Sequence, residues 1–152
     1  MELKLSSNAF AYGGVIPSRF TCDGPDLSPS LEWAFEGEKI RTFALVCDDP
    51  DAPAGAWVHW VIFNIPGNVR KLAEGIPVQK VLTDGSRQGI NDFRKIGYGG
   101  PCPPGGMHRY FFRMFALDVA LELAAGTNRS QLLAVMKGHI LAQGELMGKY
   151  LR

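Results

Sequence analysis

Two of the three histidines in this chain stand beside proline-rich loops: Asp49-Pro-Asp-Ala-Pro53 leads to Trp57-Val-His59-Trp60, and Gly100-Pro-Cys-Pro-Pro104 leads to His108-Arg-Tyr110. Imidazole titrates near neutral pH and can donate, accept or ligate a metal. A carboxylate on a stiff loop can orient an imidazole, and a phenol adds an O–H donor. Asp49, His59, His108 and Tyr110 are therefore the polar groups of a candidate pocket formed where two loops meet. Three chemistries are open to such a set: hydrogen bonding to an anion, metal ligation, and nucleophilic catalysis.

Each has a plainer competitor. Asp49 with His59 and His108 matches the composition of a two-histidine, one-carboxylate metal site, but the ligands lack short-range spacing and only folding could assemble them. Cys102 and His108 could form a Cys–His pair, yet nothing else marks that thiol as activated. A Gly-x-Ser-x-Gly nucleophile elbow is absent. The stretch Gly97–Gly106 is rich enough in glycine to present N–H groups to an anion. It lacks the Gly-Lys-Ser/Thr ending of a phosphate-binding loop and precedes a strand, so nucleotide hydrolysis is not expected. Taken alone, the Asp49–Pro53 segment reads as a turn and His59 as a satisfied core histidine.

The elements that must position these groups are short strands. Runs at Leu3–Leu5, Leu31–Trp33, Thr42–Asp48, Trp57–Ile65 and Tyr110–Asp118 are separated by turn signals such as Asp23-Gly-Pro25, Pro66-Gly67 and Asp84-Gly85. Residues two apart on a strand share a face. Parity thus groups Trp57 with His59, Val61, Phe63 and Ile65, and His108 with Tyr110 and Phe112. The parity of Phe43, Leu45 and Cys47 ends at Asp49. One helix is expected, capped by Asn128 with Gln131 reaching back, striped by Leu132, Leu133, Val135 and Met136, and closed by Gly138. His139 is assigned to the helix's last carbonyls, with no chemistry. The tail Ile140–Tyr150 fits a strand or a helix. The whole reads as one mainly β (β-rich α+β) domain over residues 1–152.

Composition narrows the partners. With 16 Lys+Arg against 15 Asp+Glu, the net charge of +1 makes no electrostatic case for nucleic acid. No apolar run reaches the ~20 residues of a membrane span, so stable membrane insertion is not expected. The first residues carry no secretory leader pattern, and a soluble cytoplasmic protein is the expectation. Cys22, Cys47 and Cys102 are too few for a disulfide scaffold. Cys47 reads as inert core; Cys22 and Cys102 could pair in an exported protein.

At these residues the chain resembles the phosphatidylethanolamine-binding protein family, which includes the Raf kinase inhibitor proteins. The resemblance rests on Asp49-Pro-Asp-Ala-Pro53, Trp57-x-His59, and Gly-Pro-x-Pro-Pro104 followed by His108-Arg-Tyr110. Phe20-Thr-Cys-Asp-Gly24, Trp33, Gly138-His139-Ile140 and Gly148-Lys-Tyr150 fit the bacterial and archaeal branch. It implies two packed antiparallel sheets with Greek-key connections and a peripheral helix in the C-terminal half. It also implies a pocket for phosphate-like anions or phosphoryl head groups, lined by Asp49, Trp57, His59, Pro104, His108 and Tyr110. Asp51, Pro53 and Arg109 fall at supporting positions. The short Ala54-Gly-Ala56 connection and the missing terminal helix of animal members imply a more open pocket, and the family implies a cis Ala52–Pro53 bond.

Resemblance and residues together predict non-catalytic anion binding, without cofactor or metal, by a monomer or homodimer. Imidazole, phenol and loop N–H groups would donate, Asp49 would favour the protonated imidazole, and binding would weaken as pH rises. With no Lys or Arg assigned to the pocket, affinity is expected at ~mM to high μM. A module inhibiting a protease or kinase is the second reading, and a metal-dependent enzyme using Asp49, His59 and His108 the third.

Overall fold

The computed structural model describes residues 2–152. Among them eight strands and one α-helix follow in chain order: β1 Lys4–Ser6, β2 Leu31–Ala34, β3 Thr42–Asp49, β4 Trp57–Pro66, β5 Lys71–Leu72, β6 Arg87–Gln88, β7 Met107–Leu117, α1 Arg129–Met136 and β8 Ile140–Leu151. They form two antiparallel sheets, a small one of order β1-β2-β5 and a large one of order β6-β4-β3-β7-β8. In the large sheet β7 returns beside β3 after the chain has passed through β4 and β6, the long connection of a Greek key.

β3 is buried at every position because it is central and covered on both faces. Phe43, Leu45 and Cys47 point between the sheets, against Trp33, Leu5 and Leu72. Ala44 and Val46 point the other way, beneath Leu132 and Met136 of α1. A fully buried side chain of this size contributes about 1.5–3 kcal/mol. Packing of this kind holds a helix that, at 8 residues, is too short to persist alone.

The helix starts as its sequence predicts. The Asn128 side chain accepts from the Gln131 N–H, and the Gln131 side chain accepts from the Asn128 N–H. Gly138, at φ 85°, follows its end. The ring of His139 does something else. Its Nδ1 lies 2.9 Å from Asp118 Oδ1, while its backbone N–H, not its ring, bonds the Met136 carbonyl.

The ambiguous tail is strand. β8 pairs with β7 from Met107↔Leu151 to Leu117↔Ile140, which satisfies a long exposed edge. Gly144 lets the N-terminal segment cross this strand closely: a Cβ there would stand 2.1 Å from the Leu3 carbonyl oxygen. The two-residue strands β5 and β6 have no periodicity for a sequence reading to detect. β6 is held by a side chain instead, since Gln88 accepts from Trp60 Nε1 at 2.7 Å and donates to the Pro77 and Gln79 carbonyls.

Strand parity breaks where it matters most. Cys47 pairs with Trp60 but Asp48 pairs with Val58, so His59 is the extra residue of a β-bulge. Beyond it, Val61 and Phe63 face the helix side, whereas His59 faces the Tyr110 ring. The expected common face of His59, Val61, Phe63 and Ile65 is therefore corrected. A second shift, at Asn64 with φ 54°, returns Ile65 to the inter-sheet core.

Candidate functional site

The end of β3, the bulge of β4 and the start of β7 meet at one end of the large sheet. Side chains from all three line a cavity of about 220 Å³, closed by the loops that follow β3 and precede β7. The structure brings Asp49, Trp57, His59, Pro104, His108 and Tyr110 together around it, with Pro53 at its edge. Asp51 and Arg109 stand outside, as a clamp. Arg109 donates to both carboxylate oxygens of Asp51, and its backbone N–H adds a third bond at 3.0 Å. The guanidinium holds the Asp51 carboxyl down at about 2, and ties the loop after β3 to β7.

Asp49 is the hub. Its Oδ1 accepts from the Asp51 N–H at 2.8 Å, an Asx turn that stiffens the loop, and its Oδ2 lies 2.6 Å from His108 Nδ1. A carboxylate oxygen accepts here, so the hydrogen of this contact sits on His108 Nδ1, and Nε2 is the ring nitrogen that Asp49 does not engage. His59 is oriented by backbone. Its Nδ1 lies 2.6 Å from the Gly99 carbonyl, and its own carbonyl accepts from the Gly99 N–H at 2.9 Å. Burial pushes the His59 imidazole toward its neutral form, against the opposing pull of the Gly99 bond and the Asp49 charge. Tyr110 is 1% exposed, and its hydroxyl makes no hydrogen bond of close geometry, the Asp49 carboxylate being the acceptor that acts on it. Burial first, and then the charge of Asp49, pushes its ionisation up, so it stays an O–H donor.

Phe93 is the pocket residue that sequence reasoning missed. Its ring stands edge-on to Trp57 at 5.5 Å and to His59 at 5.4 Å. It rides on a loop folded around Asn91, whose Oδ1 accepts from the Phe93 and Lys95 N–H groups. Asp92 fastens that loop to β4 through the Val58 N–H at 2.7 Å. The Asn-Asp pair was a signal for a structured turn, but no periodicity linked it to the histidines.

The glycine-rich loop differs from expectation. Gly97, Gly99, Gly100 and Gly106 all spend their N–H groups on protein acceptors, and the prolines at 101, 103 and 104 have none. It is a wall more than an anion cradle. Asp26, at φ 59°, holds that wall by accepting from the Gly100 N–H at 2.8 Å, and Tyr98 donates to the Phe20 carbonyl at 2.6 Å. Cys102, which also lines the cavity, is joined to Cys22 by a disulfide, with Cα atoms 5.4 Å apart. Its sulfur is thus no thiolate for a Cys–His pair. Cys47 is free and buried.

The Ala52–Pro53 bond is trans, contrary to the expectation; among the described residues no peptide bond is cis. Pro53 is the second residue of a turn closed by the Gly55 N–H on the Ala52 carbonyl at 3.1 Å. A trans proline with φ near −65° suits that position without strain. Among the described residues, no three His, Cys, Asp or Glu side chains are grouped so as to hold a metal ion.

On the far side of the sheet, Asp48 accepts from Arg113 and from Arg129 of α1, both at 2.6 Å. That buried carboxylate pins the helix to β3 and has no access to the cavity face.

Comparison with known proteins places this geometry among relatives. The family model described as phosphatidylethanolamine-binding protein matches residues 6–151. A UPF0098 protein of Methanothermobacter thermautotrophicus is 49% identical over 150 residues, covering 99% of each chain. One from Aquifex aeolicus is 46% identical, covering 99% of this chain and 89% of its own. Among solved structures, the Chlamydia trachomatis homolog CT736 superposes with a TM-score of 0.91 at 39% identity, covering 99% of this chain and 98% of its own. Escherichia coli YbcL gives a TM-score of 0.91 at 30% identity, covering 100% and 99%.

Proposed function

The chain belongs to the phosphatidylethanolamine-binding protein family, and from that premise and its pocket we propose that it binds a phosphate-type anion or phosphoryl head group without catalysis. One observation carries this reading: Asp49, His59, His108 and Tyr110, which lie far apart in the chain, converge on one cavity. His108, held through Nδ1 by Asp49, has Nε2 free to donate. Trp57, Phe93 and the prolines supply an apolar wall that strengthens each hydrogen bond by excluding water.

The experiment is a titration with methyl phosphate at pH 6, following the His59 and His108 ring resonances. Saturable shifts with a dissociation constant below about 10 mM are expected; flat signals to that concentration remove the proposal.

A protein partner, protease or kinase, is the second reading. It is favoured by Trp57 and Phe93, 36% and 37% exposed at the cavity mouth, since aromatic side chains often anchor interfaces. Stoichiometric enzyme inhibition lost in Trp57→Ala would support it. For localisation, no helix among the described residues is long and apolar enough to cross a membrane. A cytoplasmic site of action, expected from the sequence, has to accommodate the Cys22–Cys102 disulfide, which is rare in reducing cytosol outside hyperthermophiles.

A further inference from the structure

Cys102 belongs both to the lining of the cavity and to a disulfide. The two sulfurs of that bond have different surroundings. Cys22 is exposed, whereas Cys102 is half-buried in the wall with Arg152 Nη1 3.3 Å from its sulfur. Arg152 is held there from its other side: its Nε lies 3.3 Å from Asp23 Oδ1, and Tyr150 donates to Asp23 Oδ2 at 2.6 Å. A guanidinium beside a cysteine sulfur favours the thiolate over the thiol. In thiol–disulfide exchange the sulfur with the more stable thiolate leaves faster. The bond is therefore polarised, with Cys22 open to attack and Cys102 as the leaving group.

Resting on the anion-binding reading above, we propose that the Cys22–Cys102 bond is a redox switch on the pocket: a dithiol reductant converts Cys102 to a thiolate, whose negative charge in the cavity expels the bound anion. A thiolate of the dithiol attacks Cys22 Sγ and forms a mixed disulfide. The electron pair of the broken Cys22–Cys102 bond stays on Cys102. The second thiol of the reductant gives up its proton, closes the reductant's own disulfide and displaces Cys22, whose thiolate takes a proton. Two electrons pass from reductant to protein, and Cys102 is left as a thiolate beside Arg152.

The surrounding bonds make this change local. After reduction the Cys22 N–H still bonds the Pro101 carbonyl at 3.1 Å, the Tyr98 hydroxyl the Phe20 carbonyl at 2.6 Å, and the Gly100 N–H the Asp26 carboxylate at 2.8 Å. Beyond Cys102, Gly106 and Arg152 exchange backbone bonds at 3.0 and 3.2 Å. Pro103 and Pro104 lie between these ties and are the residues set free. Asp49, His59 and His108 face Cys102 from inside the cavity, and Arg152 and Asp23 from outside it. Asp49 already brings one carboxylate, and no Lys or Arg lines the cavity. A second negative charge there acts against an anion with little to offset it.

The test is calorimetry with methyl phosphate at pH 7 on the oxidised protein and on protein reduced by dithiothreitol, with circular dichroism to follow the fold. The oxidised form is expected to bind at least about fivefold more tightly. By reciprocity, saturating methyl phosphate should lower the reduced fraction at a fixed dithiothreitol ratio by the same factor. Cys22→Ser and Cys102→Ser both lack the bond, but the first alone keeps a thiolate at position 102, and it should bind about threefold more weakly than the second. Without ligand, Arg152→Gln should lower the reduced fraction by about threefold, read by thiol titration. Loss of a merely structural contact of the oxidised form would raise that fraction instead. Equal affinity of the oxidised and the folded reduced protein overturns the switch, and that comparison needs no variant to fold. So do unfolding on reduction, and Cys22→Ser binding as tightly as Cys102→Ser. If the oxidised protein binds no methyl phosphate, the anion-pocket reading falls and the switch with it, a failure that the ligand-free Arg152 measurement keeps distinct from an unpolarised bond.

Discussion

Asp49 Oδ2 and His108 Nδ1 are 2.6 Å apart although the two residues are separated by 59 positions in the chain, and both side chains are buried. The contact joins the last residue of β3 to the second of β7, adjacent strands of the large sheet. It engages Nδ1 and leaves Nε2 as the ring nitrogen not held by Asp49. His108→Ala should weaken methyl phosphate binding by about 1–3 kcal/mol, the range for one hydrogen bond to a charged group. Asp49→Asn should cost less, because the amide oxygen can still accept from Nδ1. Calorimetry on both variants at pH 6 checks the order; equal affinity in wild type and His108→Ala excludes the histidine from binding.

His59 should make the fold acid-sensitive. Its folded-state pKa lies below the unfolded value, so the unfolded chain binds the proton more readily. Its neutral form is therefore fully compatible with the fold above about pH 6.5, and stability declines as pH falls below that value. Urea denaturation at pH 7 and pH 5 should show this slope, and His59→Phe should flatten it.

Asp51 acts lower on the pH scale and with the opposite partner. Arg109 holds its carboxyl at about 2, so the stability it contributes is present above about pH 4 and lost as pH falls toward 2. The pair is partly exposed, which limits the effect to about 0.5–1 kcal/mol. Removal of this acid transition in Asp51→Asn, with little change at pH 7, is the expected outcome.

The Cys22–Cys102 bond spans 80 residues and closes on a wall of the cavity. Restricting so long a loop in the unfolded chain stabilises the fold by about 2–4 kcal/mol. Reduction, or Cys22→Ser, should lower the denaturation midpoint accordingly and loosen Pro103 and Pro104. Thermal melts with and without reductant measure the first effect, and methyl phosphate affinity the second.

Gly100 is a position where any side chain collides. A Cβ there would lie 2.1 Å from the Phe20 carbonyl oxygen and 2.4 Å from Asp26 Oδ1. Gly100→Ala should displace the wall, break the Gly100–Asp26 bond and weaken ligand binding together with stability, by about 1–3 kcal/mol each. Nearly unchanged melting and binding would show that the loop yields without consequence to the pocket.

Much of this protein was legible before folding was considered. The long strands, the capped helix and the pocket residues on two proline loops follow from local rules: alternation, capping chemistry and stiff turns. Asn128 and Gln131 are three residues apart, so their bonds are local and readable. The Asp49, His59, His108 and Tyr110 set was also found by residue type and by resemblance.

Tertiary structure decided what local rules cannot reach. The bulge at His59 depends on how β4 registers against β3, and one extra residue reverses the faces of Val61 and Phe63 until a second shift at Asn64 restores that of Ile65. Phe93 enters the pocket because Asp92 fastens its loop to the distant Val58 N–H of β4. The glycine amides of the wall are occupied because Asp26, Gly89 and the His59 backbone arrive from elsewhere in the chain. Pairing of Cys22 with Cys102, a trans Pro53 and a strand over 140–151 were settled the same way. Residue types determined which groups could do chemistry; the long-range pairing of strands and loops determined which of their atoms face the cavity.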